Sequence, residues 1–387
     1  MAQLSLKTII DYDLEKNPFG YGFDYKNTAY NLLLLKNGSI LIYTTNNIII
    51  LHNNLQQKKL ISFDEKEMIT SIKEIQKGKI FCCVKDLYVF SIKSNEIINK
   101  EKILIPNNEI IYDVIKLKNG KILGITNKSI IEINENNKID ELFKIPQNWL
   151  IKAYKESHRF YSEFKQYINL YEMDNNRLLV HSHSTEFSHN GGCGTHPPSQ
   201  VCVNKIYILN LTNFEIVHQF DELKSEINIV ILDKYICIIY FYKYHLNNLI
   251  DIYNIEDYKS IKKIEDRFNK QYIIKIDGNK FISMSKSDKK NYIILYDLSN
   301  INDIKYQIFE ENFIKFNTIF YNACYKVENT KNKSICILKD GSIFIICHGK
   351  IYIVDFPKSF DFLPLSEFEY KKEHFKCYEK IHFLGDN

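Results

Sequence analysis

A short pattern recurs along the chain with a period of about 40 residues, the spacing at which stacked or radially arranged structural repeats declare themselves. An apolar run enters a tight turn, a second apolar run leaves it, and after a short gap a third run ends in a polar residue. The pattern is plain in "NLLLLKNGSILIYTTNNIIILHN", "ITSIKEIQKGKIFCCVKDLYVFS", "IYDVIKLKNGKILGITNKSIIEIN" and "SICILKDGSIFIICHGKIYIVD". Its turns carry Gly38, Gly78, Gly120 and Gly341, preceded by Asn, Lys, Asn and Asp. Asn-Gly and Asp-Gly pairs accept positive φ at both central positions, which matches the twist of two antiparallel strands and marks a hairpin. A further Asp277-Gly278 turn follows "YIIKI", and Asn175-Asn176 and Asp233-Lys234 turn two more units without glycine.

The third run supplies an independent register. It ends at His52, Ser91, Asn134, Asn210, Asn254, Asp297 and Asp355, and 13 or 14 residues separate Gly38, Gly78, Gly120 and Gly341 from the ends of their own units. Compositional bias does not produce a shared offset of that kind. Ile, Leu, Val, Tyr and Phe carry the hydrophobicity while Ala is scarce, which favours strands over helices. The expected fold is all-β: about seven four-stranded antiparallel blades in one propeller domain over residues 1–356, followed by a tail at 357–387. The N-terminal run "LSLKTIIDYDL" lies before the first complete unit and is expected to close the ring as the outer strand of the last blade.

Third runs ending "ILYDL" (Tyr296-Asp297), "YIVDF" (Val354-Asp355), "DIYNI" (Tyr253-Asn254) and "YILNL" (Leu209-Asn210) resemble degenerate forms of the Trp-Asp ending of WD-repeat blades. The resemblance spans nearly the whole chain and implies a protein-binding propeller. The chain departs from that family in its single Trp149, which precedes Leu150, and in lacking a Gly-His dipeptide before the blades.

Function classes are narrowed by charge and cysteine usage. The 51 basic and 47 acidic residues are spread without a basic block, which argues against a nucleic-acid partner. Nine scattered cysteines in apolar stretches read as buried thiols of a reducing compartment. The N-terminus has acids early and no apolar core, so the expected location is the cytoplasm, with the nucleus as the alternative. The run from Ile227 to Tyr242 is interrupted by Asn228 and Asp233-Lys234 and reads as two strands and a turn, so no membrane association is expected.

Long interruptions of a short-looped repeat tend to carry function. They fall near 146–169, 181–202 and 301–333; in the fourth unit 34 residues separate Asn176 from Asn210. The first two open on one face of a blade of this kind, which assigns Tyr154, His158, Arg159 and Tyr161, with His183 and His189, to a surface for a protein or peptide partner. The 181–202 stretch reads as a His/Cys-rich loop with His181, His183, His189, His196, Cys193 and Cys202. Cys193-x-x-His196 with Cys202 is the candidate zinc set, though no tight second pair follows to complete a tetrahedral site. His181 and His183, two apart on a strand, face the same side. No nucleophile elbow, phosphate-cradling loop or dinucleotide fingerprint occurs. The expectation is a non-catalytic interaction scaffold without a cofactor, working as a monomer or inside a hetero-complex. The alternatives are a zinc-binding protein and a propeller enzyme with its site at the central opening.

Overall fold

The structure is a computed structural model that describes residues 2–3, 5–11, 31–43, 47–51, 57–64, 68–93, 96–149, 163–173, 176–188, 199–241, 248–266, 269–287, 290–311, 335–337, 343–347, 350–355 and 363–364. These residues form strands and two single-turn 3-10 helices, with no α-helix among them. The strands make six four-stranded sheets and one six-stranded sheet. Sheet 1 holds Asn31–Leu34, Ile40–Tyr43, Asn47–Leu51 and Gln57–Ser62; sheet 2 holds Ser71–Gln76, Lys79–Cys83, Leu87–Lys93 and Glu96–Ile103. Sheet 3 is Ile111–Lys116, Ile122–Thr126, Ser129–Ile133 and Ile139–Lys144, and sheet 4 is Glu163–Met173, Arg177–Ser188, Ser199–Asn210 and Ile216–Gln219. Sheet 5 is Glu226–Ile231, Tyr235–Phe241, Asn248–Asn254 and Ser260–Asp266. Sheet 6 contains Asn269–Asp277, Lys280–Ser287, Lys290–Asp297 and Lys305–Glu311, with Ala2–Gln3 and Leu363–Pro364 added along the last of these. Sheet 7 is Ile335–Ile337, Ile343–Cys347 and Lys350–Asp355, with Ser5–Asp11 from the other end of the chain as its outer strand.

Within each sheet the consecutive strands form an antiparallel meander, as the hairpin turns require, while Ala2–Gln3 is added in parallel to sheet 6. Gly78 shows why one turn needs glycine: its φ is 78°, and a Cβ there would sit 2.5 Å from the Ile92 carbonyl oxygen. That approach is what lets Ile92 donate its N–H to the Gly78 carbonyl at 2.6 Å. The polar residue that ends the third strand also has a physical role. The side-chain oxygens of Asn134, Asn210, Asn254 and Asp297 each accept the backbone N–H two residues on, at 3.1, 2.8, 2.8 and 2.9 Å, and so start the turn into the fourth strand. In sheet 2 the third strand passes through Ser91 and continues to Lys93.

Consecutive sheets lie side by side, and the first strand of sheet 7 lies beside that of sheet 1. Sheets therefore bury both faces, which explains apolar runs without alternation. Cys82 points into the cluster between sheets 1 and 2, and Cys83 into the one between sheets 2 and 3. Ile131 shares the latter cluster, whereas its neighbour Ile130 packs between sheets 3 and 4.

The stretch 181–202, expected as a loop, is mostly ladder. The second and third strands of sheet 4 are each 12 residues long and the first is 11, where every other strand has two to nine. Pairing runs without a break from Arg177↔Asn210 to Ser188↔Ser199. The reason is local: "HSHSTEFS" and "SQVCV" have no Gly or Pro and hold strand-favouring Thr, Phe and Val, so the ladder continues to the Gly191-Gly192 neighbourhood. The 146–169 interruption is likewise part strand, since Glu163 pairs with Phe187 and Tyr167 with His183. The two interruptions are neighbours, joined by backbone pairing. In the third, Lys305–Glu311 is the fourth strand of sheet 6.

Candidate functional site

The lengthened part of sheet 4 begins at a cluster of buried polar side chains on the face turned to sheet 5. His181 and His183 are 3% and 6% exposed, and Asn204 is fully buried. Strand alternation puts both imidazoles on one side, and register sets Asn204 directly opposite His183. The Asn204 amide is oriented by its environment: Nδ2 donates to the carbonyls of Ser225 at 2.6 Å and Leu223 at 3.3 Å. Its Oδ1 therefore faces the rings, 2.9 Å from His181 Nε2 and 2.7 Å from His183 Nδ1. Because Oδ1 can only accept, both of those ring nitrogens carry hydrogen. Two neutral rings then keep their lone pairs on the opposite edges, His181 Nδ1 and His183 Nε2.

A second polar cluster ties the first strands of three sheets. Asp113 of sheet 3, 2% exposed, accepts from Ser71 Oγ at 2.5 Å and from Lys73 Nζ at 2.8 Å, both on sheet 2, and from the Leu170 N–H of sheet 4 at 2.9 Å. Its neighbour Val114 donates its N–H at 2.9 Å. With two donors on each oxygen, this carboxylate is saturated and serves as a pin between sheets. Burial, followed by the charge of Asp113, pushes the Cys83 thiol well above its ordinary range, so it does not supply a thiolate. A second buried carboxylate, Glu109, accepts from Thr126 Oγ1 at 2.5 Å and Ser129 Oγ at 2.9 Å and closes the end of sheet 3.

The sequence-derived site residues divide in two. Tyr154, His158, Arg159, Tyr161, His189, Cys193 and His196 lie outside the described residues. His183, expected on the partner surface, is instead buried against Asn204, because its strand position faces sheet 5. Cys202, expected as a metal ligand, is buried on the same strand face as Asn204. Among the described residues no group of three or more His, Cys, Asp or Glu side chains is arranged to hold a metal ion. Trp149 lies at the start of the first interruption and is anchored by stacking on Tyr207, with ring centroids 4.4 Å apart and planes 14° from parallel. Asn204 and Asp113 went unread in the sequence; the available signal was a lone polar residue inside an apolar strand, in "VCVNKIYIL" and "IIYDVIKL".

No protein-family model matches the chain, and no curated protein matches it. In structure it is similar to the WD40 domain of Neurospora crassa Pan2, with 9% identity, a TM-score of 0.58, and coverage of 92% of this chain and 96% of that one. It is also similar to virginiamycin B lyase from Staphylococcus aureus, with 13% identity, a TM-score of 0.52, and coverage of 92% and 100%. Likeness at this level of identity establishes the fold. One of the two is named as an enzyme and the other as a repeat domain, and a fold by itself does not choose between such roles.

Proposed function

For this divergent, WD-repeat-like β-propeller we propose a non-catalytic role: a protein-interaction scaffold in a ring of seven blades, with its binding surface carried by sheet 4. The six-stranded sheet counts as one blade in that ring, and Ser5–Asp11 closes it. The observation that carries the reading is the length of the first three strands of sheet 4. About five extra residues per strand at about 3.3 Å each raise this blade by roughly 15 Å over its neighbours. Residues 150–162 and 189–198 continue from the raised end, where Glu163 pairs with Phe187 and Ser188 with Ser199. The proposed surface consists of Tyr154, His158, Arg159, Tyr161 and His189 from these two stretches of sequence, a mixture of aromatic, Arg and His groups suited to the centre of a protein interface. The partner is a protein or peptide, and a cytoplasmic or nuclear setting goes with the buried cysteines Cys82, Cys83, Cys202 and Cys237.

The test is to replace residues 189–198 by Asn-Gly, leaving the Ser188–Ser199 pair in place, and separately to make Arg159→Ala with Tyr161→Ala. Circular dichroism checks the fold, and affinity purification with mass spectrometry compares partners. Loss of specific partners from folded variants is the expected result. An unchanged partner set in both variants overturns the assignment of the surface.

A further inference from the structure

Where sheets 2 and 3 meet, the turns between their second and third strands and the connection that joins the two sheets form a pinned, basic surface with two exposed aliphatic side chains. We propose that this surface docks an acidic peptide segment of a partner protein. Its lysines receive Asp or Glu, and Leu104 and Ile110 receive an apolar side chain between those acids. The site is separate from the one carried by sheet 4 and does not depend on that assignment.

Backbone hydrogen bonds place the parts side by side. The Ile111 N–H donates to the Lys85 carbonyl at 3.4 Å, the Asn127 N–H to the Ile110 carbonyl at 3.0 Å, and the Ile145 N–H to the Lys128 carbonyl at 2.7 Å. Ile103 pairs with Leu87, which brings Leu104 to the turn that holds Asp86, and Lys144 pairs with Ser129 at the same end of sheet 3. The connection 104–110 is held from beneath: Ile105 and Glu109 are each 5% exposed, and the Ile110 N–H is taken by Asn127 Oδ1 at 3.0 Å. Between these anchors Asn107 and Asn108 are both left-handed, with φ of 58° and 53°, a conformation that persists where the surroundings fix it. Leu104, 70% exposed, is the most exposed large apolar side chain among the described residues, and Ile110 is 37% exposed. The other exposed aliphatic groups, Ile98, Leu142, Ile216, Val217 and Ile261, lie on fourth strands, where scattered apolar groups are ordinary.

Charge sets the kind of partner. Lys85, Lys128 and Lys144 are exposed and make no ion pair among the described residues. Both acids of these turns and this connection are already engaged: Asp86 pairs with Lys102 at 2.8 Å, and Glu109 is buried on the hydroxyls of Thr126 and Ser129. Unbalanced positive charge around aliphatic groups is complementary to an acidic segment that carries an apolar residue. A nucleic-acid strand would use the lysines and leave Leu104 and Ile110 idle, because unstacked bases dock on aromatic or guanidinium planes.

The experiment pans a display library of random short peptides against the full chain and measures the enriched peptides, made synthetically, by fluorescence anisotropy. The expected result is enrichment of sequences in which Asp or Glu flanks Leu, Ile, Phe or Met. Leu104→Asp, and Lys85→Glu combined with Lys128→Glu, are each expected to weaken these peptides by about tenfold or more. Added salt should weaken them on the wild-type chain as well. Circular dichroism checks the variants; should a charge reversal fail to fold, Lys85→Ala with Lys128→Ala takes its place. No enrichment of acidic sequences overturns the proposal, as does unaltered binding in the folded variants. Displacement of the peptides by polyuridine together with indifference to Leu104→Asp also overturns it and assigns the lysines to a polyanion. Replacement of residues 189–198 is expected to leave these peptides bound; their loss there places the peptide site on sheet 4 and refutes the one proposed on sheets 2 and 3.

Discussion

Asp113, on the first strand of sheet 3, accepts a 2.5 Å hydrogen bond from Ser71, on the first strand of sheet 2. The same carboxylate holds the Leu170 N–H of sheet 4, so one side chain fastens three consecutive sheets. Asp113→Ala leaves Lys73 and three backbone or hydroxyl donors without their acceptor, and a loss of about 3–5 kcal/mol is expected. Ser71→Ala, which removes one donor to a charged group, is expected to cost about 1.5–3 kcal/mol. Urea unfolding measures both; equal midpoints for wild type and Asp113→Ala would refute the role.

Trp149 joins sheet 3 to sheet 4. It is 2% exposed, stacks on Tyr207 and sits 5.7 Å from the Phe143 ring. Trp149→Ala is expected to destabilise by about 3–5 kcal/mol, with Trp149→Phe closer to wild type. As the only tryptophan, Trp149 makes fluorescence a site-specific probe of this seam. Its emission should shift to longer wavelength together with the loss of circular dichroism; an earlier shift would mean that the seam opens before the sheets do.

Arg177 of sheet 4 grips a turn of sheet 5. It donates to the Ile255 carbonyl at 3.0 Å, to the Tyr258 hydroxyl and to Glu256 Oε2 at 3.2 Å. Tyr258 is held at φ 59°, a left-handed conformation costly for an aromatic residue. Arg177→Ala is expected to cost about 1.5–3 kcal/mol. Arg177→Lys should recover only part, because an ammonium cannot reproduce the planar fork. Full recovery by lysine in thermal unfolding would rule out the fork geometry as the cause.

His218 contributes a global pH effect. Burial lowers its pKa, with Asp221 opposing in part, and its ring stacks on Tyr258 at 4.8 Å. The unfolded state therefore takes the proton first. Stability from this group is present above about pH 6.5 and is lost as the pH falls below it, through the lower folded value. His218→Phe is expected to flatten Tm between pH 7.5 and 5.5, and an unaltered slope would remove His218 from the account.

The buried thiols should be silent in the native chain. Cys82, Cys83, Cys202 and Cys237 are all buried. Alkylation is expected at these four only after denaturation, read by peptide mass spectrometry. Rapid native labelling of Cys83 would contradict its raised pKa.

The repeat made the strands and turns legible, since period, turn glycine and strand-ending polar residue are all local signals. The N-terminal strand was legible by elimination, and Ser5–Asp11 does pair with Lys350–Asp355. The shared orientation of His181 and His183 followed from alternation alone. The burial of His183 did not, because a His-rich run reads as exposed until the strand is known to continue beneath a neighbouring sheet. Asn204 was lost among the many asparagines of the chain, where one buried amide looks like any other.

The sequence by itself determined where most of the hairpins turn, because hairpin geometry and side-chain alternation act over a few residues; the extent of the long strands of sheet 4 it did not. Only the tertiary structure decided which polar groups meet. Ser71, Lys73 and Leu170 stand 42, 40 and 57 residues from Asp113 along the chain, and no local pattern relates them. They converge because packing both faces of each sheet brings first strands side by side, and a carboxylate taken out of water there must find its donors across the seams.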